Sequence, residues 1–220
     1  MKASRLKFRK LKIWGQDYLV YRYLWPNIEW AVGLARQLTS CRQPIVLDIG
    51  CGQKPYADLF EGCFYLGLNF TKNDAMPDII ADATSIPVVT GAMDIVFSTQ
   101  VIEHVADPQA MVRECFRVLK PGGFLILTGP FYWPLHEEPY DFHRFTKYGF
   151  ANLLANAGFS QWEIRPDGGD IAQVFLSINL LFRGRLFAPI RVFFNLMGML
   201  LDTLIHRTSC PANYTVFAKA

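Results

Sequence analysis

The chain has 220 residues, enough for one domain with its own core and an appendage. A 51% hydrophobic and 15% aromatic content excludes disorder, and 16 glycines with 13 prolines in no fixed period exclude a collagen-like or low-complexity chain. The five cysteines, Cys41, Cys51, Cys63, Cys115 and Cys210, are odd in number and lack any CxxC or Cys/His spacing. That pattern predicts reduced thiols in a cytoplasmic compartment and no structural metal.

The net charge of +3 hides a division along the chain. Residues 1–47 carry +7, residues 48–170 carry −8 and residues 171–220 carry +4. Lys2, Arg5, Lys7, Arg9, Lys10 and Lys12 precede any acid and alternate with Leu6, Phe8, Leu11, Ile13 and Trp14. A basic, aromatic arm over residues 1–43 suits an anionic surface, either the inner face of a membrane or a nucleic acid, and a solvated terminus is its plainest reading. Tyr18 to Trp25 contains Arg22 and lacks the apolar core and cleavage site of a secretory signal, so export is not expected.

In chain order, the first element is a helix expected from Trp25 to Leu38. Ile28, Ala31, Val32, Leu34, Ala35 and Leu38 fall at helical spacing after Pro26 and Asn27, a suitable start. At Pro44–Asp48 the period changes to a short apolar run ending in a glycine turn, the signature of a buried parallel strand. Phe64–Leu68, Ile79–Ala81, Asp94–Ser98 and Phe124–Thr128 repeat it. Pro108–Leu119 reads as a helix stopped by Lys120-Pro121-Gly122-Gly123, and Thr146–Ala157 as another ended by Gly158. The alternation predicts an open α/β sheet with helices on both faces.

After a strand at Gln161–Arg165, the segment Ile171–Ile205 is apolar but interrupted by Arg183, Arg185, Arg191 and Asp202. Its uninterrupted stretches are too short to span a bilayer, and two amphipathic helices are expected, packed on the domain or lying in a lipid headgroup layer. A strand at Tyr214–Ala218 closes the chain. Residues 44–220 thus read as the domain proper, with an apolar helical insert at 171–207.

Chemistry concentrates first at Val46-Leu47-Asp48-Ile49-Gly50-Cys51-Gly52, a strand running into two spaced glycines. The third glycine of a dinucleotide fingerprint and the Gly-Lys-Ser/Thr of a P-loop are both missing. An acid just before GxG repels phosphate and favours a ligand with a cationic centre, such as a sulfonium with an amino-acid tail. This stretch resembles the first motif of the class I S-adenosylmethionine-dependent methyltransferases, in particular the methyltransferase-11-like group. Asp82-Ala83-Thr84-Ser85-Ile86-Pro87 resembles their adenine-binding turn, Asp94 to Val105 their fourth strand and the following turn, and Arg117 to Leu127 their entry into the fifth strand. The resemblance covers about residues 44–160 and the last strand.

It implies a Rossmann-like, doubly wound, seven-stranded sheet, S-adenosyl-L-methionine as methyl donor and S-adenosyl-L-homocysteine as product. Gly50, Cys51 and Gly52 would pass under the methionine part, Asp48 would hold its ammonium, Asp82 and Ala83 would meet the adenine, and Ser98, Thr99 and Gln100 would lie along the cofactor. The second strand of the family usually ends in an acid that grips the ribose; here it ends in Asn69, which loses the charge-assisted bond. Asp74 or Asp78 is placed to compensate.

The acceptor side is expected at His136-Glu137-Glu138-Pro139-Tyr140-Asp141-Phe142-His143-Arg144-Phe145-Thr146, after the fifth strand. Transfer to a hydroxyl needs a proton acceptor, and His104, His136, Asp141 and His143 are the candidates, with Tyr132 and Arg144 as substrate contacts. The competing reading of the loop is helix entry, with Thr146 as N-cap and Asp141–Arg144 as a local ion pair. No metal is expected, since His136 and His143 lie seven apart on an irregular loop. The expected function is methyl transfer to a hydroxyl of a saccharide or a membrane-linked metabolite. A cofactor-binding module without turnover, suggested by Asn69, and an RNA methyltransferase, disfavoured by the −8 central segment, are the alternatives.

Overall fold

The computed structural model describes residues 12–72, 76–205 and 207–220. Seven strands form one sheet in the order β3-β2-β1-β4-β5-β7-β6, with β1 at Ile45–Ile49, β2 at Phe64–Asn69, β3 at Ile79–Ile80, β4 at Met93–Thr99, β5 at Leu119–Pro130, β6 at Gln161–Asp167 and β7 at Asn213–Lys219. β1 to β5 pair in parallel, and β7 runs antiparallel between β5 and β6. This is the doubly wound α/β fold that the sequence predicts. The strand order reverses between β1 and β4, so a crevice opens outside their carboxyl ends, where ligands of such sheets bind.

The alternation of side chains along the central strands divides the core. Leu47, Ile49, Val96, Leu125, Leu127 and Val216 face helices α2 (Pro108–Val118) and α3 (Lys147–Ala157), through Met111, Val112, Cys115, Val118, Phe150 and Leu154. Val46, Ile95, Phe97, Phe124, Ile126 and Phe217 face the other way, against Leu24, Ile28, Ala31, Val32 and Ala35 of helix α1 (Tyr18–Leu38). The second half of the N-terminal arm is therefore one of the two covers of the sheet. Its basic residues Lys2 to Lys10 lie outside the described residues.

α1 starts at Tyr18, earlier than Pro26, and carries that proline inside it. The proline removes one helical N–H, but Leu24 and Trp25 before it and Ile28 after it are buried, and this packing outweighs the missing bond. Asn27 anchors the turn by donating to the Pro166 carbonyl at 3.1 Å and to Asp167 Oδ1 at 2.6 Å. β5 also begins earlier than expected, at Leu119: Lys120–Gly123 enters the strand as an irregularity, with a register shift opposite Met93 and Ile95.

The apolar insert forms α4 (Asp170–Leu181) and α5 (Ala188–Ile205), packed against each other and against α1. α5 is turned inside out. Its buried residues are Arg191, Asn195, Gly198 and Asp202, whereas Phe193, Leu196, Leu200 and Leu204 are exposed. The inward polar groups are tied down. Arg191 donates to the carbonyls of Trp14, Phe182 and Gly184 at 2.7–2.8 Å, Asn195 to those of Ile13 and Gly15, and Asp202 accepts from the amides of Gly169 and Ala172. Arg185–Ile205 has the length and composition of a membrane-crossing helix. This corrects the expectation drawn from uninterrupted apolar runs alone.

Candidate active site

The glycine turn after β1 is fixed by three backbone bonds. Gly50 and Cys51 both donate to the Leu68 carbonyl, at 2.8 and 3.1 Å, and Gly52 accepts from the Met76 amide at 2.8 Å. Gly50 and Gly52 have φ of +73° and +48°, the left-handed region where a side chain is strained. A Cβ on Gly50 would come within 2.2 Å of Val101 Cγ2, while one on Gly52 would meet nothing within 4 Å. Gly52 therefore leaves an open cradle at the crevice. Cys51 is 2% exposed, and its sulfur lies over Gly67, so it offers the crevice backbone and not a thiol.

Asp48 is buried at the end of β1 and accepts a hydrogen bond from the Tyr65 hydroxyl. Burial pushes its carboxyl up to about 7, opposed by that hydroxyl and by Lys54. Lys54 is held by Asp78 at 2.6 Å, and the same Asp78 oxygen accepts from the Gly67 amide at 2.7 Å. That oxygen of Asp78 is thus committed to Lys54 and Gly67, two residues inward from Asn69. Asp74, the other expected substitute, lies outside the described residues. Asn69 donates through Nδ2 to the Thr71 carbonyl at 2.8 Å, which leaves its oxygen as acceptor.

Asp82 closes its own turn, accepting from the amide and hydroxyl of Thr84 at 2.8 and 2.7 Å through one oxygen. Helix α2 holds this turn from beneath: Glu114 accepts from the Ile86 amide, and Arg117 donates to the carbonyls of Ile86 and Val88, each at 2.8 Å. Ala83 is buried beside it.

At the end of β4 the three expected residues take different places. Ser98 is fully buried and gives its hydroxyl to the Ile49 carbonyl at 3.1 Å. That bond joins β4 to β1, so only the backbone of Ser98 is left to face the crevice. Thr99 bonds to Tyr56. Gln100 adopts φ +54° and donates its amide and Nε2 to Thr128 Oγ1 at 3.2 and 3.1 Å. A non-glycine residue held in that region at a strand end marks a place where the fold accepts strain.

The loop after β5 arches back over the short turn Ile102–His104 that follows β4, and Phe142 donates its amide to the Glu103 carbonyl at 2.9 Å. His104 and His136 meet edge to face with ring centroids 4.8 Å apart. His104 Nδ1 lies 2.7 Å from the Tyr140 carbonyl. His136 Nδ1 faces Asp141 Oδ2 at 3.2 Å and the Pro134 carbonyl at 3.3 Å. Carbonyl and carboxylate oxygens only accept, so both Nδ1 atoms carry a proton, and in the neutral form of each ring the lone pair is on Nε2.

Asp141 itself is clamped by Arg144, which holds its carboxyl well below the usual carboxylate range. It faces His136 Nδ1 and accepts from the His136 amide at 3.0 Å. Arg144 spends all five of its donors inside the loop, on both Asp141 oxygens and on the carbonyls of Trp133, Pro134 and His143. The Asp141–Arg144 contact is the local ion pair of the competing reading of this loop. His143 stays outside the pair, with Nε2 3.4 Å from the Ala106 carbonyl. Tyr132 is half exposed on the same loop, and Thr146 caps α3 by accepting from the Gly149 amide at 3.0 Å.

Sequence reasoning missed Tyr65 and Glu103. Tyr65 points at Asp48 only because β2 pairs in parallel with β1, Asp48 opposite Gly67. Glu103 is fully buried next to the histidine pair, and neither of its oxygens has a hydrogen-bond partner among the described residues. Burial pushes its carboxyl up to about 8, opposed by its own backbone amide and by Arg144. A groove of about 600 Å³ opens at the opposite, amino end of the sheet, between Thr39, Asp94, Lys120 and Lys219. The conformations of the glycines and the convergence of polar groups, not cavity size, locate the candidate site at the carboxyl edge.

Residues 47–127 match the family model of a methyltransferase domain. Over 102 residues the chain is 35% identical to a ubiquinone biosynthesis O-methyltransferase of Xanthomonas oryzae pv. oryzae, covering 38% of this chain and 41% of that one. The chain thus spans less than half the length of such curated relatives. A SAM-dependent methyltransferase from Archaeoglobus fulgidus shares the fold with a TM-score of 0.57 at 15% identity, over 91% of this chain and 97% of the other. Phosphoethanolamine N-methyltransferase 2 of Haemonchus contortus, solved with phosphomonomethylethanolamine and S-adenosylhomocysteine, gives 0.58 at 18% identity, over 88% and 52%. The motifs in their order, the sheet that carries them and the family match identify residues 47–127 as a methyltransferase domain, set in a sheet of the class I S-adenosylmethionine-dependent methyltransferase fold.

Proposed function

We propose that the chain transfers the methyl group of S-adenosylmethionine to a hydroxyl oxygen of a small, saccharide or membrane-linked acceptor. The cofactor's methionine part would lie over Gly50 and Gly52, its ammonium toward Asp48, a ribose hydroxyl on the free oxygen of Asn69, and its adenine by Asp82 and the Ala83 amide. An oxygen lone pair of the acceptor attacks the methyl carbon in line with the carbon–sulfur bond. That bonding pair stays on sulfur, which becomes the neutral thioether of S-adenosylhomocysteine, and the hydroxyl proton leaves to a base. The protein's part is alignment and proton acceptance.

The observation that carries the choice of a hydroxyl is the His104–His136 pair after β4 and β5, with both Nδ1 atoms tied as donors so that Nε2 is the basic nitrogen of each neutral ring. The membrane side of the reading rests on α5. Phe193, Leu196, Leu200 and Leu204 form an outward apolar face, and Ile13, Trp14 and Gly15 of the basic arm accept hydrogen bonds from Asn195 and Arg191 of the same helix. Trp133 of the acceptor loop packs into the cluster of Leu19, Leu176 and Ala212 beneath it. An apolar face beside cationic chain favours an anionic lipid surface, on the inner face of a membrane.

Incubation of lysate fractions with methyl-labelled cofactor and purified protein tests the acceptor: label in lipid or polysaccharide pools is expected, and label confined to RNA overturns the reading. Calorimetric titration with S-adenosylhomocysteine is expected to show one site; no binding removes the enzyme reading. Sedimentation with anionic but not zwitterionic vesicles at low salt is expected, and its absence removes the membrane side.

A further inference from the structure

Glu103 presents a problem that the methyl-transfer reading leaves open. A fully buried carboxylate with neither oxygen hydrogen-bonded is costly, and it sits at the mouth of the acceptor side. Its Oε1 lies 4.0 Å from His104 Nε2, and the exposed Glu137 Oε2 lies 3.9 Å from the same nitrogen. One carboxylate oxygen of Glu103 and one ring nitrogen each of His104 and His136 lie within 4.8 Å of one another.

We propose that Glu103, His104 and His136 bind a divalent transition cation of the zinc type, with an open coordination position facing the acceptor. The donor set of two imidazoles and one carboxylate suits such a cation and leaves room for an outside oxygen, whereas magnesium and calcium prefer oxygen-only shells. The outer contacts are those of a metal site. Each histidine gives its Nδ1 proton to a carbonyl or carboxylate, which fixes the tautomer and leaves Nε2 as the ligand nitrogen. Behind His136, Arg144 fixes Asp141 in turn.

Coordination requires ligand atoms about 3.3 Å apart for bonds near 2.1 Å, so the group closes by up to about 1.5 Å, through rotation of His136 on its loop and of the Glu103 and His104 side chains, which start 4.0 Å apart. The inference deepens the reading of hydroxyl methylation and rests on it for its role. The cation takes the position that a proton on the Nε2 atoms would otherwise hold, it lowers the pKa of the acceptor hydroxyl it holds, and the released proton passes to Glu137 or to solvent. The spacing His136–His143, the pair the sequence offers, is not the pair that the fold assembles.

The test uses the full chain stripped with a chelator, then titrated with Zn²⁺ by calorimetry and with Co²⁺ by visible absorption. One equivalent is expected to bind, with a tetrahedral or five-coordinate cobalt spectrum. His136→Ala and Glu103→Gln should weaken zinc by at least about 100-fold and Asp141→Asn by about tenfold, whereas His143→Ala should leave it unchanged. S-adenosylhomocysteine binding of each variant, measured in parallel, reports that the domain is folded and tests the cofactor reading separately. Absence of stoichiometric binding in a chain that still binds S-adenosylhomocysteine, or binding unaffected by both His136→Ala and Glu103→Gln, overturns the inference.

Discussion

Arg144 grips Asp141 with both terminal nitrogens, at 2.6 and 2.7 Å, while its other donors hold three carbonyls of the same loop. A lysine keeps the charge but not the planar fork. Arg144→Lys is expected to lower the stability of the fold by about 1–3 kcal/mol and to open residues 131–146 to limited proteolysis. Denaturant titration and a protease time course read both; an unchanged cleavage pattern contradicts the clamp.

The two glycines of the turn separate packing from ligand binding. Gly50→Ala forces a methyl group into Val101 at a positive φ, and a loss of about 1–3 kcal/mol of stability is expected. Gly52→Ala meets no protein atom, so it should cost only about 1 kcal/mol of strain yet reduce S-adenosylhomocysteine affinity by filling the cradle. Equal effects of the two substitutions on stability would count against the cradle.

Tyr65→Phe removes the hydroxyl bonded to Asp48 and lets that carboxyl rise above its present value of about 7. Cofactor affinity at neutral pH should fall about tenfold, near 1.4 kcal/mol. In the unaltered chain affinity should weaken as pH drops below about 7, because Asp48 then loses its charge; in the variant the weakening should start at higher pH. Titration calorimetry across pH decides it.

Asp167 is buried against Asn27 and Thr215, and burial raises its carboxyl to about 7 despite those bonds. Its folded pKa lies above the unfolded value near 4, so between about pH 4 and 7 the folded chain keeps a proton that the unfolded chain has released. Its contribution therefore favours folding below pH 4 and is lost as pH rises through 7. Asp167→Asn should flatten this slope, at most about 1.4 kcal/mol per pH unit, in denaturation curves collected from pH 4 to 8.

Replacing Phe193, Leu196 and Leu200 together by serine should leave stability within about 1 kcal/mol, since exposed positions tolerate change, and should abolish vesicle sedimentation. Asn195→Leu should behave in the opposite way. It breaks bonds to Ile13, Gly15 and Asn179 and should cost about 2–4 kcal/mol. Thermal melts beside the sedimentation assay distinguish the two faces.

Much of the site was written in local spacing. Asp48-Ile49-Gly50-Cys51-Gly52 announces a strand and a sharp turn because only glycine takes those dihedrals without strain, and Thr146 and Gly158 mark the ends of α3 by capping chemistry that acts within a few residues. The Asp141–Arg144 ion pair is suggested by its three-residue spacing, but the carbonyls that Arg144 also holds and the role of Ser98 were not legible in this way. A guanidinium looks the same in sequence whether its donors meet a substrate or five atoms of its own loop, and a serine at a strand end gives no sign of the carbonyl across the ladder.

The sequence by itself determined the order of strands and helices, the turn at Gly50 and Gly52, and the basic ends around an acidic middle, since each follows from neighbours in the chain. Only the tertiary structure decided that Tyr65 meets Asp48, that His104 meets His136 beside an unpartnered Glu103, and that α5 turns its polar residues inward. Those outcomes depend on parallel register, on a loop folding back across more than thirty residues, and on which face a neighbouring helix can satisfy with hydrogen bonds. Periodicity fixes the positions of side chains around a helix, but the partner surface selects which of them it buries.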